Sequence, residues 1–325
     1  MPMYDLARQH PHYVARDESE ALIAALEKGA PDERAGIFGP ASMLWRVNRE
    51  SATFLAAGRA SLLQLAHPWV ASSIDQHSTI MNDPIARFHN TFRVVFAMMF
   101  GSVQQATGAA RHLYELHARV QGSMTEDVAG WERGSHYRAN EAAALRWVYA
   151  TLIESAVLAY EFVLPPLSQT EREAYYAESK ILAGLFGVPA GTLPSDWSAF
   201  LHYCREMEES DALGVGASGR AMGQNVLAGA GSWIHPPRWY RALTAAWLPE
   251  RLRGAFGLVL TREDECTIQS ARRWLRRVYP RTPKAVRFVG PWHEALARLR
   301  NRKPGLIARA GNRFWMGQAR IPFAS

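Results

Sequence analysis

The chain contains little cysteine. Cys204 and Cys266 are the only two cysteines among its 325 residues, and 61 residues separate them. Two cysteines cannot build a framework of several disulfides or a zinc cluster with several thiolate ligands. We therefore expect a protein of a reducing compartment, with the cytoplasm as its location.

Long apolar runs are absent as well. No stretch of about 18 uninterrupted apolar residues occurs, and a membrane-spanning helix needs about that length. The N-terminal sequence MPMYDLARQHPHYVARDESE has no apolar segment behind a basic end, as a secretory signal would have. We therefore expect neither a transmembrane helix nor export.

Several common enzyme motifs are also missing. The sequence has no P-loop, no nucleophile-elbow serine and no Cys-x-x-Cys, so it does not support a nucleotide enzyme or a serine hydrolase. Gly214, Gly216 and Gly219 in GVGASG have the spacing of a dinucleotide-binding loop. In dinucleotide-binding proteins that loop follows a hydrophobic strand. The residues directly before these glycines are CREMEESDAL, which are acidic and helical in character. We interpret these glycines as an ordinary loop.

Acidic residues are scarce in the last fifth of the chain. Residues 261–325 hold 15 Lys and Arg against 4 Asp and Glu, a balance of +11, whereas the whole chain has a net charge of +7. The first 260 residues therefore carry −4. A solvated basic face is one interpretation. The other is a peripheral contact with an anionic membrane, such as the inner membrane, or with an acidic partner. Specific nucleic-acid binding is not expected, because no reading-helix or zinc-finger pattern accompanies the charge.

Helical periodicity dominates the rest of the sequence. It predicts helices over 18–28, 85–100, 103–120, 141–162, 170–187 and 194–210, and one helix or a pair of helices between 40 and 68. Asn140 and Ser195 are the predicted N-caps of two of these helices. Only GLVLT (257–261) and AVRFVG (285–290) have a strand-like composition. The fold class predicted is all-α, with little or no sheet.

Two histidines stand five residues apart in the predicted helix 103–120. At 3.6 residues per turn, His112 and His117 point about 140° apart, so they cannot hold one ion from the same helical face. His117 follows the apolar stripe through Ala106, Ala110 and Leu113, which turns it inward. A buried imidazole is either a neutral core histidine or an axial ligand of haem iron.

The preceding helix carries Arg87 and Thr91 four residues apart, on one face. An arginine that faces the interior needs an anionic partner, which is either a protein carboxylate or an acid group of a ligand. The residues alone leave both alternatives open.

The run GRASLLQLAHPWVASSIDQHSTIMNDPIARFHNTFRVVFAMMFG, followed by LHARVQG and EAAALRWVYATLIES, resembles the oxygenase family typified by rubber oxygenase (latex-clearing protein) and the mycophenolic-acid pathway oxygenase. The resemblance covers roughly residues 40–260 and reaches LPERLRGAFGL and RRVYPRTPKAVR near the C-terminus. It implies a globin-like helical core that holds haem b and uses dioxygen on isoprenoid carbon–carbon double bonds.

The resemblance also assigns residues. His117 matches the proximal haem ligand, and Arg87 and Thr91 match the family's distal-side pair, with catalytic and cofactor-binding roles. Asn90 stands where rubber oxygenase has a distal lysine, which removes a charge and a sixth iron ligand. Tyr149 occupies a position where many relatives have histidine, and Asp75 is the nearest counterpart of the carboxylate base. The implied organisation is an N-terminal arm (1–39), a haem-binding domain (40–260) and a basic segment (261–325) packed on the same domain.

Three functions follow as alternatives. The first is a haem b-dependent oxygenase or oxidoreductase that acts with dioxygen on a small apolar, isoprenoid-like or other alkene substrate. The second is a haem-binding sensor, carrier or peroxidase-like protein without oxygenase turnover. The third is a haem-free helical scaffold that binds a membrane or a partner through the basic segment.

Overall fold

A computed structural model of the chain describes residues 11–30, 32–77, 84–229 and 236–323. In this part of the chain the regular structure is sixteen α-helices, three short 3₁₀ segments and one hairpin. The helices are α1 Arg16–Gly29, α2 Met43–Asn48, α3 Ala57–Leu65, α4 Pro68–His77, α5 Pro84–Phe100, α6 Val103–Ala118, α7 Ala142–Val163, α8 Gln169–Leu185, α9 Trp197–Glu209, α10 Ala217–Ala228, α11 Arg238–Trp247, α12 Glu250–Ala255, α13 Arg262–Val278, α14 Lys284–Arg287, α15 Gly290–Leu299 and α16 Leu306–Met316. The 3₁₀ segments are Ser51–Ala56, Ala190–Thr192 and Tyr279–Arg281.

The sheet content is one antiparallel pair within the described residues. Strand β1 (Gln121–Ser123) pairs with β2 (His136–Arg138), with Gly122 opposite Tyr137. The all-α fold class is therefore confirmed, while the globin-like arrangement of the helices stays a prediction.

Both predicted strands are wrong. Residues 257–261 are non-helical backbone without a strand partner, and Val259 is 78% exposed. Residues 285–290 begin in α14, and only Phe288 forms an isolated bridge, with Glu50. Their β-branched composition is a weak signal, because a strand forms only where a neighbouring strand can complete the hydrogen bonding.

Helix α7 is the central helix of the fold. It packs against α3 and against the 3₁₀ segment Ser51–Ala56. By length and composition α7 could cross a membrane, with a mean hydropathy of 1.3 over its most apolar window, and no second such helix occurs in the described ranges. Since 72% of that window is buried inside the protein, its apolar character is explained by its place in the core.

The region 40–68 is a pair of helices joined by a 3₁₀ segment, so the alternative of one continuous helix is wrong. The break lies at Glu50, whose carboxylate is 1% exposed and accepts hydrogen bonds of 2.7 Å from Nε and Nη2 of Arg287. Tyr279 donates to the same carboxylate at 3.0 Å. Partners from the distant C-terminal segment therefore fix the chain at the break.

Two predicted helix caps shift by one residue. Glu141, and not Asn140, caps α7, because its carboxylate accepts from the amides of Ala143 and Ala144 at 3.0 and 2.6 Å. Asp196, and not Ser195, caps α9 by accepting from the Ala199 amide at 2.9 Å. A carboxylate at the N-terminus of a helix is favoured by the helix dipole.

The glycine segment GVGASG is a loop only in its first half. Helix α10 begins directly after Gly216, so Gly219 lies inside the helix and the loop interpretation is wrong for that residue. The element before the glycines is helix α9, which ends at Glu209. A dinucleotide-binding loop needs a strand there, so the rejection of that site agrees with the structure.

Helices α5 and α6 form the antiparallel pair that carries most of the predicted site residues. They are joined by Gly101, where a Cβ atom would overlap the carbonyl oxygen of Ala97. Ser102 then caps α6 in a capping box with Gln105: the Ser102 hydroxyl accepts from the Gln105 amide at 3.2 Å, and Gln105 Oε1 accepts from the Ser102 amide at 3.0 Å. This short connection fixes the register of α5 against α6.

The two ends of the chain pack on the central helices. Helix α1 contacts α6 and α8, while α13 contacts α7 and α11, and α16 contacts α5 and α15. Arg298 of α15 donates to the carbonyl oxygens of Arg34 and Phe100 at 2.7 and 2.6 Å. The predicted boundaries at residues 39 and 260 stay predictions.

Candidate cofactor site around His117

His117 lies in the last turn of α6 and lines a cleft. Ala106 and Ala110, earlier on the same stripe, are buried, while His117 itself is partly exposed and His112 is exposed. The cleft is lined by Val14, Ser19, Ala110, Tyr114, His117, Asn140, Leu145, Leu185, Phe186 and Gly187.

The imidazole of His117 is neutral at neutral pH. Burial and, as the smaller cause, the Arg87 cation on the neighbouring helix together lower its pKa to about 4. Within the part of the chain that the structure describes, no hydrogen bond joins the His117 ring to another group. A neutral imidazole normally uses one nitrogen as a donor and the other as an acceptor. His117 therefore has an uncommitted lone pair among the described residues.

Arg87 projects from α5 beside His117. Its side chain is exposed, yet the surrounding protein desolvates the guanidinium and lowers its pKa. His117 shows the same combination of accessible surface and strong desolvation. Side chains that are accessible and desolvated at once lie on the wall of a concave region and not on a convex surface. The structure thus brings Arg87 near enough to His117 for its charge to act on the imidazole, although Arg87 is not among the residues that line the cleft.

Thr91 lies one turn after Arg87 on the same face of α5. Its hydroxyl donates to the Arg87 carbonyl oxygen at 3.0 Å, a common arrangement for threonine in a helix. The hydroxyl proton is used inside the helix, so the Thr91 oxygen is left as an acceptor.

Asn90 is directed toward the C-terminal helices. Its Oδ1 accepts from Nη1 of Arg93 at 2.9 Å, and Nε of Arg93 donates to the Met316 carbonyl oxygen at 2.7 Å. Asn90 is exposed and therefore belongs to the flank of α5 that meets α16.

Tyr149 and Asp75 contact other groups. Tyr149 is buried in α7, with its hydroxyl 2.7 Å from Ser179 Oγ, and burial raises the pKa of the phenol far above its ordinary value. Asp75 is exposed near the end of α4, where its charge helps to raise the pKa of Tyr137. The roles of Tyr149 and Asp75, like those of Asn90, Thr91 and Arg87, stay predictions.

Most residues of the cleft wall carry no functional signal in the sequence. Val14 and Ser19 come from the predicted N-terminal arm, and Leu185, Phe186 and Gly187 come from the end of α8. Apolar and small residues of this kind look like any core residues in a sequence. Only the packing of α1 and α8 on α6 brings them to His117.

The side chains near His117 suit a metal ion whose other ligands come from a prosthetic group. In the described residues no three side chains of His, Cys, Asp or Glu are grouped so that they could hold an ion by themselves. Haem iron needs only one or two protein ligands, and a neutral histidine is a common one. The Arg87 cation beside it matches the carboxylate charge of a haem propionate. The residues present therefore fit haem in their chemistry.

Comparison with known proteins gives one match. The family profile described as ER-bound oxygenase mpaB/B′/rubber oxygenase, catalytic domain, matches residues 45–277, which is more than two thirds of the chain. No curated protein and no solved structure matches the chain significantly. The match includes α5 and α6 with Arg87, Thr91 and His117. The chain belongs to the family of the mpaB and rubber oxygenase catalytic domains, so its enzyme class is that of an oxygenase.

Proposed function

We propose that this protein is a haem b-dependent oxygenase with His117 as the proximal iron ligand, and that it uses dioxygen on a small apolar alkene. The observation that carries the proposal is the state of His117. Its imidazole is neutral, partly accessible and without a hydrogen bond in the described chain, inside a domain of an oxygenase family.

His117 would hold the iron through one ring nitrogen. An iron ligand has to be unprotonated, and the low pKa of His117 keeps it so throughout the physiological pH range. Haem, when bound, would supply the oxygen-activating chemistry, while the protein supplies the ligand, the shape of the pocket and the access to it.

Arg87 would hold a propionate of the haem. A desolvated guanidinium attracts a carboxylate more strongly than one in bulk water, because less hydration is lost when the pair forms. The same cation opposes protonation of His117, so one residue would orient the cofactor and keep its ligand neutral.

The two predicted site residues that follow Arg87 on α5 carry no acid group. Thr91 presents an acceptor oxygen and Asn90 presents a neutral amide, and neither side chain ionises in the physiological range. These two residues would therefore add no charge to the proposed site, which suits an uncharged apolar substrate.

The first experiment is a spectrum combined with oxygen uptake. The protein is expressed with a haem precursor, its oxidised and dithionite-reduced absorption spectra are recorded, and dioxygen consumption is followed with a panel of isoprenoid and other alkenes. We expect a Soret band and alkene-dependent uptake. A Soret band without uptake would identify a haem sensor, carrier or peroxidase-like protein. If the protein stays colourless after haem is supplied, the haem-free scaffold is the alternative that remains.

A further inference from the structure

Helix α16 presents an apolar face that the rest of the described chain leaves uncovered. Leu306 is 81% exposed, Ile307 is 55% exposed and Phe314 is 43% exposed. Leu306, Ala310 and Phe314 follow one another at intervals of four, and Ile307 lies seven residues before Phe314. These spacings place the four side chains on one side of the helix.

The opposite side of α16 is firmly attached to the protein. Ala308, Asn312 and Met316 are buried, and the Trp315 ring stacks on Phe54 with its centroid 3.8 Å away. The Asn312 amide donates to the Ala319 carbonyl oxygen at 3.1 Å. The helix is therefore a fixed part of the surface, and its exposed face is presented in one orientation.

Basic residues lie along one side of this face and just before the start of the helix. From Arg298 to the C-terminus the sequence has seven Lys and Arg and no Asp or Glu. Arg302, Lys303, Arg309 and Arg313 are exposed, and none of them forms an ion pair with any residue that the structure describes. Guanidinium and ammonium groups without acidic partners are ready for anions from outside the chain.

We propose that α16 docks on the surface of an anionic lipid membrane, with Leu306, Ile307 and Phe314 in the acyl boundary and the four cations on the headgroups. An apolar stripe flanked by Arg and Lys is the pattern of helices that lie in the plane of a membrane interface. A second copy of the chain fits this face poorly, because self-association would place Arg309 and Arg313 against equally basic residues.

The docked face lies next to the candidate site. Phe314 and Trp315 reach the first turns of α5: His89 Nε2 is 3.2 Å from the Phe314 carbonyl oxygen, and the rings of Trp315 and Phe88 lie 6.0 Å apart. Arg87 directly precedes Phe88. A membrane bound at α16 would therefore lie beside the helix that carries Arg87 and Thr91.

Vesicle co-sedimentation of the full chain tests the docking. We expect binding to vesicles of phosphatidylglycerol and phosphatidylcholine, much weaker binding to phosphatidylcholine alone, and a decrease in binding as salt is added. The double variant Leu306→Ser/Ile307→Ser should bind anionic vesicles at least about tenfold more weakly than the wild type. The variant Arg309→Glu/Arg313→Glu should lose most of the vesicle binding. All four side chains are exposed, so circular dichroism should show unchanged folding.

Matched variants on other exposed surfaces separate α16 from a general charge effect. Val259→Ser removes an apolar side chain that is 78% exposed outside α16. Arg273→Glu/Arg277→Glu reverses two exposed cations of α13. Both should retain most of the vesicle binding.

Several results would overturn the docking proposal. One is wild-type protein that stays in the supernatant with anionic vesicles. Another is binding that survives the α16 substitutions or is lost equally in the α13 variant. A third is a dimer in analytical ultracentrifugation that Leu306→Ser/Ile307→Ser converts to monomer, because the face would then be an interface between copies.

Discussion

At the scale of single residues, the proposed cofactor site depends on His117 and Arg87. Helical periodicity alone predicted that His117 turns inward and His112 outward, because their 140° separation is fixed by the geometry of the helix. The proximity of Arg87 to His117 could not be predicted in this way. It depends on how α5 packs against α6, and a single sequence carries no direct signal for the contacts between two helices.

The Arg87→Gln variant tests this proximity in haem-free protein. Removing the cation should raise the pKa of His117 above its value of about 4, while the burial that remains should keep it below 6.5. The measurement is the pH titration of the His117 ring proton by NMR. Arg111→Gln, on the same helix as His117 but in a surface pair with Glu20, is the matched control. A His117 pKa that stays the same in Arg87→Gln would show that the two groups do not interact.

At the scale of helices, the sequence predicts the presence of a helix more accurately than the residues at which the helix begins and ends. The helices at 16–29, 84–100, 103–118 and 169–185 agree with the periodicity because each buries one amphipathic face. The caps of α7 and α9 shifted by one residue because Asn, Ser, Asp and Glu compete locally for the same amides. The break at Glu50 was not predictable, since its partners Arg287 and Tyr279 lie more than 200 residues away.

Helix α6, which carries His117, is expected to depend on its capping box. Ser102→Ala removes the acceptor of the Gln105 amide, and such a loss typically costs about 0.5–2 kcal/mol in the free energy of unfolding. Urea unfolding followed by circular dichroism measures it. Ser270→Ala on α13, where the hydroxyl accepts only from exposed Arg273, should change stability by less than about 0.5 kcal/mol. Equal effects of the two substitutions would contradict the assigned role of the cap.

At the scale of the whole molecule, a buried charge network joins four helices. Arg59 of α3 donates to Glu154 of α7 and Glu208 of α9 at 2.8 Å, and to the Trp247 carbonyl oxygen of α11 at 2.9 Å. No spacing in the sequence links these positions, so the network was not predicted. Breaking a buried pair leaves an uncompensated charge, and therefore the network fixes how these helices meet.

Glu208 makes this network sensitive to pH. Burial outweighs the attraction of Arg59 and raises the Glu208 pKa from 4.5 to about 7. Between these values the folded state binds more protons than the unfolded state, so the contribution of Glu208 to stability is lost as pH rises from 4.5 to 7. The shift corresponds to roughly 3 kcal/mol at most.

The Glu208→Gln variant should not lose stability through this group as the pH rises. Its free energy of unfolding minus that of the wild type should increase between pH 5 and pH 8, as measured by urea unfolding at several pH values. Glu206→Gln, an exposed glutamate on the same helix, is the matched control. A difference that decreases with pH would reverse the sign and refute the assigned burial effect.

The central claim is that His117 holds the iron of a bound haem, and the visible spectrum of His117→Ala tests it most directly. Haem-supplied wild type, His117→Ala and His112→Ala are compared, each with and without added imidazole. We expect His117→Ala to lose the wild-type Soret band and to regain it with imidazole, while His112→Ala keeps it throughout. A wild-type spectrum in His117→Ala would contradict the account, because another residue would then bind the iron.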